Sequence, residues 1–235
     1  LLQDLFTLGT SPGVVAGLVR KHMPAPASAR FLDLGCGKGA VGIRLALEFQ
    51  ARVTGIDIVP EFVAEAQKRA ETAGVGTFCN FIQDDVTAAV ARERGYDCVV
   101  LGAIGNILGD PDKMLQRVLP VIAGRGFVFI DDAYVESPDT TVKYGNYPYL
   151  TRDCWEALFV RHGLVLLETV TAGEDDVNNA DVELEHIRRR AGELAAVHPE
   201  RREMFEDYVR SQADEYDDLA NAVTGAAWMV RKGDG

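Results

Sequence analysis

The amino-acid sequence predicts an α/β fold in which a mostly parallel sheet carries helices on both faces. Short apolar runs alternate with amphipathic runs throughout residues 31–134, and this alternation is typical of strand–helix–strand units. The run 96–105 is nearly all apolar, as a strand that is buried on both faces should be. With 235 residues, the chain fits one large domain or one domain that carries an insertion.

The first predicted element is a helix over 12–23, because Ser11 can cap it and Pro12 suits its first position. Beyond this helix, apolar strand runs and helices with one apolar face follow each other in regular order. In chain order these elements are predicted as strand 31–36, helix 39–49, strand 52–58, helix 60–74, strand 77–85, strand 96–105, helix 111–122 and strand 126–134.

The C-terminal part of the sequence departs from this order. A helix over 155–162 and a strand over 164–170 precede a long acidic interval, and a strand over 226–232 follows it. The interval, 175–222, carries two amphipathic helical patterns that Pro199 separates. We therefore expect a helical insertion before the last strand, which covers the end of the sheet where ligands bind and can support a homodimer.

Charge and cysteine content exclude several classes of protein. The 36 acidic and 24 basic residues give a net charge of -12, which disfavours nucleic acid as a partner. No apolar stretch approaches the ~18 residues of a membrane span, and no signal-like segment opens the chain. The four cysteines lie far apart without a C-x-x-C pair, so we expect reduced thiols and a cytoplasmic protein.

The sharpest motif is a glycine-rich turn between the first predicted strand and the helix that follows it. Asp33 is followed by Gly35, Gly37 and Gly39, and these alternate glycines remove side chains where a backbone must approach a ligand. Asp57 ends the second predicted strand, 24 residues after Asp33. A carboxylate at that place can accept hydrogen bonds from both hydroxyls of a ribose.

Three functions remain open at this point. Gly37, Gly39 and Gly42 also satisfy the dinucleotide fingerprint G-x-G-x-x-G, which indicates an NAD-linked oxidoreductase. Asp33, however, would repel a pyrophosphate and attract an amino-acid ammonium, which favours a ligand with an amino-acid part. The third alternative is a non-catalytic nucleotide-binding module whose helical insertion holds a partner protein.

Three segments resemble the class I S-adenosylmethionine-dependent methyltransferases. FLDLGCGKG (31–39) resembles motif I of that family, VTGIDIVPEFVAEAQ (53–67) resembles its next strand and helix, and FIQDDV (81–86) resembles its Q-G-D-A segment. The branch that acts on small molecules and quinones is the most similar. The resemblance implies a Rossmann-like sheet of seven strands with the last antiparallel, S-adenosylmethionine as cofactor, and methyl transfer to a small organic acceptor.

The resemblance also implies which residues bind the cofactor. Asp33 and Gly35 would contact the methionine part, and Asp57 would bind the ribose. Lys38 stands where the family often has Thr or Ser, and we expect its side chain to point to solvent. The other implied positions are Cys36, Gly37 and Gly39 in the turn, Ile58 and Val86 beside the adenine, Asp85 as the adenine-side acid, and Gly102 under the sulfonium.

The acceptor side is predicted from residues that follow the fourth and fifth strands. Asp131 or Asp132 could act as a base or bind a cationic substrate, and Tyr134 is a further candidate; helix capping or turn formation is the alternative for each aspartate. The tyrosine-rich tract 144–149 suggests an aromatic lid or, equally, a loop that packs on the core. The D-plus-D-N metal set of catechol-type methyltransferases is not visible in the sequence, so no metal site is expected.

The predicted organisation is a single methyltransferase domain over 1–235 with a small-molecule substrate and no membrane partner. Its parts are an N-terminal helical cap (1–30), a cofactor-binding core (31–174), a helical insertion or lid (175–222) and the final strand (223–235).

Overall fold

The computed structural model describes residues 1–145 and 147–233 of the chain, without the side chains of residues 174–179. The strands of this described part are β1 (Arg30–Leu34), β2 (Arg52–Asp57), β3 (Cys79–Gln83), β4 (Tyr96–Gly102), β5 (Ile122–Val135), β6 (Leu150–Thr151), β7 (Leu164–Thr171) and β8 (Thr224–Lys232). The helices are α1 (Pro12–His22), α2 (Ala40–Phe49), α3 (Pro60–Thr72), α4 (Val86–Arg92), α5 (Pro111–Val118), α6 (Arg152–Arg161), α7 (Glu174–Val197) and α8 (Arg202–Asn221).

The strands form one sheet in the order β3-β2-β1-β4-β5-β8-β7, and the short β6 pairs with β5 outside this path. The pairs β1–β2, β1–β4, β2–β3 and β4–β5 are all parallel. The predicted Rossmann-like α/β fold with a mostly parallel sheet and an antiparallel last strand is confirmed. The sheet reverses its order between β1 and β4, which is where open sheets of this kind bind ligands at their carboxyl ends.

Local sequence signals explain where several helices begin and end. The Ser11 side chain accepts a hydrogen bond from the Val14 N–H at the start of α1, as the sequence predicts. The helix predicted over 111–122 is shorter than expected, because α5 ends at Val118 and a 3₁₀ turn containing Pro120 follows. Proline has no N–H to continue the helical hydrogen bonds.

The apolar core on one face of the sheet joins α1 and α2 to the central strands. Phe31 of β1, Val100 of β4 and Phe129 of β5 are fully buried there, together with Val15 of α1 and Leu45 of α2. Burying one side chain of this size contributes about 1.5–3 kcal/mol. The core therefore fixes the positions of β1 and β4, whose carboxyl ends carry the candidate site.

The chain divides into two compact units. We call Thr7–Asp132, Asp153–Val170 and Ala227–Gly235 the sheet unit, and Leu1–Phe6, Ala133–Arg152 and Thr171–Ala226 the helical unit. In the sheet unit, the indole rings of Trp155 and Trp228 lie 4.8 Å apart.

The helical unit contains α7 and α8 on either side of Pro199, as predicted. Ala191 and Ala195 of α7 pack there with Phe205 of α8. No helix within the described residues is long and apolar enough to cross a bilayer.

Candidate active site

The glycine turn lies where β1 gives way to α2. The backbone N–H groups of Gly35 and Cys36 donate to the Ile56 carbonyl at 2.8 and 3.0 Å, and the Gly39 N–H donates to the Cys36 carbonyl at 2.9 Å. Gly35 has φ +72°, and a Cβ on it would come within 2.8 Å of Ile104 Cγ2. Only glycine fits this position without strain. The turn is therefore held closely against the end of β2.

The Asp57 carboxylate is fixed by two backbone groups. Its Oδ2 accepts the Gly37 N–H at 2.8 Å, and its Oδ1 accepts the Val59 N–H at 2.9 Å. A carboxylate offers about four lone-pair sites, so each oxygen retains capacity for one more donor. Two oxygens that are held rigidly in this way suit a pair of neighbouring hydroxyls.

The Asp33 carboxylate is buried, with 3% of the residue exposed. Its Oδ2 has no hydrogen-bond partner among the residues that the structure describes. Burial raises the pKa of Asp33 to about 7, helped by the charge of Asp57 and opposed by the backbone N–H of Gly42. An interior acceptor without a donor is rare and points to a missing positive or donor group.

Two other side chains of the turn are also buried. Cys36 packs with Ile43 and Ala66, and burial followed by the charge of Asp33 raises the pKa of its thiol. Lys38 is 5% exposed, so the expectation that it points to solvent is wrong. Its Nζ lies 5.5 Å from the centre of the Phe62 ring, a distance at which a cation and an aromatic face attract each other.

The residues that follow β3 form a helix cap. The Asp85 Oδ1 accepts the Thr87 N–H and the Thr87 hydroxyl, each at 2.7 Å, at the start of α4. These bonds lower the pKa of Asp85. Asp84 pairs with Arg92 at 2.5 Å, and the Arg92 guanidinium lowers the pKa of Asp84. Both oxygens of Asp84 are engaged within the protein, because its Oδ1 also accepts the Asp85 N–H at 2.8 Å, and so is the Oδ1 of Asp85.

The two apolar residues predicted to flank the adenine differ in exposure. Ile58, directly after Asp57, is 65% exposed, whereas Val86 in the first turn of α4 is 6% exposed. An apolar side chain that is open to solvent beside the Asp57 carboxylate can pack against a flat ring.

The ends of β4 and β5 bring two predicted positions together. Gly102 is in register with Asp131, and the Ala103 N–H donates to the Asp131 carbonyl at 3.1 Å. Successive residues of a strand face opposite sides, so Asp131 and Asp132 lie on opposite faces of the sheet. Val100 is in register with Asp33 and lies two residues before Gly102 on β4, so Gly102 is on the same face of the sheet as Asp33. Because Asp131 is in register with Gly102, Asp131 also lies on that face.

Tyr134, the third acceptor-side candidate, belongs to the helical unit and is 1% exposed. Its hydroxyl accepts a hydrogen bond from the Arg152 guanidinium, which also lies 5.0 Å from the centre of the tyrosine ring. The hydroxyl is thus buried and engaged with a cation.

Comparison with known proteins decides the family. Residues 26–163, more than half of the chain, match the family described as a methyltransferase domain. The chain belongs to the class I S-adenosylmethionine-dependent methyltransferases. This membership favours the methyltransferase over the NAD-linked oxidoreductase that the fingerprint left open.

Two curated relatives illustrate how far the similarity of this methyltransferase extends. The uncharacterized protein YjhP of Escherichia coli K12 is 32% identical over 108 residues, which is 45% of this chain and 42% of that protein. The ribosomal protein L11 methyltransferase of Bordetella parapertussis is 29% identical over 170 residues, 71% of this chain and 50% of that protein. The chain thus spans half or less of these relatives.

Solved structures share the fold of this methyltransferase over nearly its whole length. A SAM-dependent methyltransferase from Thiobacillus denitrificans in complex with S-adenosyl-L-homocysteine has a TM-score of 0.81 at 22% identity, covering 99% of this chain and 96% of that one. The X-ray structure of YjhP from E. coli has a TM-score of 0.81 at 21% identity, covering 98% and 96%.

The helical unit of this methyltransferase holds a polar cluster that sequence reasoning missed. We call Tyr144, Tyr208, Tyr216, Glu183 and Glu215 the tyrosine–glutamate cluster. The Tyr216 hydroxyl donates to Glu183 Oε2 at 3.0 Å, and burial raises the pKa of both glutamates. The pKa values of Tyr144 and Tyr208 are raised by burial and then by the charge of Glu215. The tyrosines were visible in the sequence, but their glutamate partners look like ordinary surface residues of acidic helices.

A buried aspartate anchors the tyrosine-rich tract to α8. Asp218 is 2% exposed, and its carboxylate accepts the backbone N–H groups of Lys143 at 2.9 Å and Tyr144 at 2.7 Å. Within that tract, the rings of Tyr147 and Tyr149 meet edge to face at 5.1 Å. Asn146 lies outside the described residues.

Proposed function

We propose that this methyltransferase transfers a methyl group from S-adenosylmethionine to a small organic acceptor by in-line displacement. The observation that carries the proposal is the pairing of two carboxylates at the glycine turn: Asp33, which is buried and whose Oδ2 has no partner in the described structure, and Asp57, which two backbone N–H groups hold. The first suits an ammonium and the second suits a ribose, and the cofactor carries both groups.

The residues that are present fit this cofactor. Asp33 would accept hydrogen bonds from the ammonium of the methionine part, and Asp57 would accept the ribose hydroxyls on its remaining lone pairs. Gly35, Cys36, Gly37 and Gly39 would line the methionine end through their backbone, and Gly102 would lie under the sulfonium. Ile58 and Val86 would flank the adenine with Asp85 at its edge. When bound, S-adenosylmethionine supplies a methyl carbon that the neighbouring sulfonium already activates.

The protein's own contribution to the reaction is orientation. Holding an acceptor in line with the methyl carbon and excluding water can supply about 7–11 kcal/mol of the barrier. A base is needed only when the acceptor atom carries a proton that must leave. Asp131 and Asp132 are the proposed candidates for that role or for binding a cationic acceptor. Tyr134 is the weaker candidate, because its hydroxyl already binds Arg152.

The net charge of -12 disfavours an RNA acceptor.

A homodimer and a cytoplasmic location complete the proposal. Val182 and Val197 of α7 and Met204 of α8 are 55%, 71% and 54% exposed, and apolar side chains of this kind suit an interface between copies. None of the four cysteines is in a disulfide among the described residues, which suits a reducing compartment. Light scattering at several protein concentrations would measure the oligomeric state.

Calorimetric titration with S-adenosylhomocysteine tests the cofactor. We expect micromolar binding, about 8 kcal/mol, and no binding of NADH. No heat at millimolar S-adenosylhomocysteine would overturn the proposal.

Mass spectrometry tests the acceptor. The protein is mixed with S-adenosylmethionine and a panel of amines, phenols and quinols, and the products are weighed. A product 14 mass units heavier than one panel member is expected, and turnover of a protein acceptor alone would contradict the small-molecule assignment.

The same assay separates catalysis from a purely binding role. Deleting 175–222 should abolish product formation if the helical insertion serves the reaction. A full-length chain that binds S-adenosylhomocysteine but never forms S-adenosylhomocysteine from S-adenosylmethionine with any acceptor would favour the non-catalytic module.

A further inference from the structure

The hydroxyl of Thr10 is a second polar group of the sheet unit that is buried without a partner. Thr10 is 5% exposed, and its Oγ1 makes no hydrogen bond to any residue in the described ranges. Hydroxyls in protein interiors are nearly always paired, because an unpaired one is costly to folding. The position of this hydroxyl therefore requires a physical reason.

Thr10 lies directly over the end of β4. A Cβ on Gly102 would come within 2.6 Å of Thr10 Oγ1, so the hydroxyl occupies the space that a side chain at Gly102 would fill. Leu8, two residues earlier, reaches to 3.0 Å from the place where a Cβ on Gly37 would lie. Residues 8–10 therefore lie against both the glycine turn and the end of β4.

The Thr10 hydroxyl and the Asp33 carboxylate lie on the same face of the sheet. Asp33 is in register with Val100, and Gly102 is two residues further along β4, so the missing Gly102 side chain would share the face of Asp33. Two strand residues span about 6.6 Å. Two unpaired polar atoms, one an acceptor and one a hydroxyl, thus lie on one face at the ends of adjacent strands.

We propose that the Thr10 hydroxyl, together with the N-terminus of α1, binds the carboxylate of the cofactor's methionine part while Asp33 binds its ammonium. This inference rests on the proposed function. The α1 helix begins directly after the Ser11 cap, and no acidic residue in its first turn offsets the partial positive charge of its N-terminus. Asp33 and Asp131 on the same face would repel a carboxylate, so a donor such as Thr10 is needed to hold one there.

The test compares Thr10→Val, which removes the hydroxyl but keeps the shape, with Thr10→Ser, which keeps the hydroxyl. Each full-length variant is titrated calorimetrically with S-adenosylhomocysteine and with 5′-methylthioadenosine, which lacks the amino-acid part. We expect Thr10→Val to lower the affinity for S-adenosylhomocysteine about tenfold, because the loss of one hydrogen bond to a charged group has about this effect. The affinity for 5′-methylthioadenosine should not change. Thr10→Ser should stay within about threefold of the parent for both ligands.

Thermal unfolding without ligand provides a readout that is independent of binding. Because the hydroxyl has no partner within the protein, Thr10→Val should unfold at the same temperature as the parent chain or higher. Equal affinity of Thr10→Val and the parent for S-adenosylhomocysteine would overturn the inference and leave the proposed function standing. Equal loss for both ligands would also overturn it, by indicating altered packing. A parent chain that binds neither ligand would overturn the proposed function itself.

Discussion

Asp33 and Asp57 lie near the carboxyl ends of neighbouring parallel strands, and the charge of Asp57 adds to burial in raising the pKa of Asp33 to about 7. The two carboxylates differ in what holds them. Asp57 is bound by the N–H groups of Gly37 and Val59, whereas Asp33 Oδ2 is without a donor in the described structure. The site without ligand therefore keeps a carboxyl that changes charge near neutral pH.

The stability of the ligand-free protein should fall as pH rises because of Asp33. Its pKa is raised from 3.8 in the unfolded chain to about 7, so the folded state binds the extra proton between these values. The free energy of unfolding should then decrease by about 2 kcal/mol between about pH 5.5 and pH 7.5, relative to Asp33→Asn. Urea unfolding at several pH values measures this difference.

Asp84→Asn is the matched control for the pH effect. Asp84 lies at the same edge of the sheet, but Arg92 lowers its pKa, so it stays ionised in both states over that pH range. The difference in the free energy of unfolding between Asp84→Asn and the parent chain should therefore not change with pH. If the free energy of unfolding changes with pH in the same way for Asp33→Asn and the parent chain, Asp33 does not take up a proton on folding in this pH range.

Asp57→Ala should lower the affinity for S-adenosylhomocysteine about tenfold or more, because two charge-assisted hydrogen bonds to the ribose would be lost. Calorimetry measures the affinity, and circular dichroism reports whether the fold persists. Asp84→Ala, which removes a carboxylate paired with Arg92, should change the affinity less than about threefold. Unchanged binding by Asp57→Ala would refute the ribose assignment.

Gly35→Ala should destabilise the protein more than Gly105→Ala. Both glycines have positive φ, +72° and +57°, but only the Cβ at Gly35 meets another atom, Ile104 Cγ2 at 2.8 Å. Gly105 has nothing within 4 Å, so its variant bears the backbone strain alone, about 1–3 kcal/mol. The contact should add a further ~1–3 kcal/mol at Gly35. Chemical denaturation of the two variants measures the difference, and equal losses would argue against the close packing of the turn.

The spacing of apolar residues along the sequence made much of the sheet predictable, together with the cofactor side of the candidate site. The order of strands and helices follows from short-range apolar periodicity, and Asp33, the glycine turn and Asp57 lie at strand ends that the same periodicity marks. Whether these residues bind the cofactor stays a prediction until the titrations are done. The two helices around Pro199 were likewise visible as two amphipathic patterns.

Features that depend on distant contacts or short elements could not be predicted. Helix α4 has only seven residues, too few for a clear period, and it begins after the Asp85 cap, where the sequence predicts the end of a strand. β5 begins at Ile122 rather than 126, because the glycine-containing stretch that resembles a turn forms an irregular part of the strand. Lys38 is buried, and its Nζ lies 5.5 Å from the centre of the Phe62 ring in α3, a contact that short-range periodicity does not reveal.

Asp218→Asn should loosen the tyrosine-rich tract in the helical unit. The buried Asp218 carboxylate accepts the N–H groups of Lys143 and Tyr144, and an amide offers one acceptor oxygen in place of two. Limited proteolysis should therefore cleave after Lys143 or Tyr144 several times faster than in the parent chain. Asp217→Asn is the control, because Asp217 meets the Lys143 Nζ at 2.7 Å on the surface, where an ion pair contributes about 0–1 kcal/mol. Equal cleavage rates for the two variants would mean that the buried carboxylate does not hold this tract.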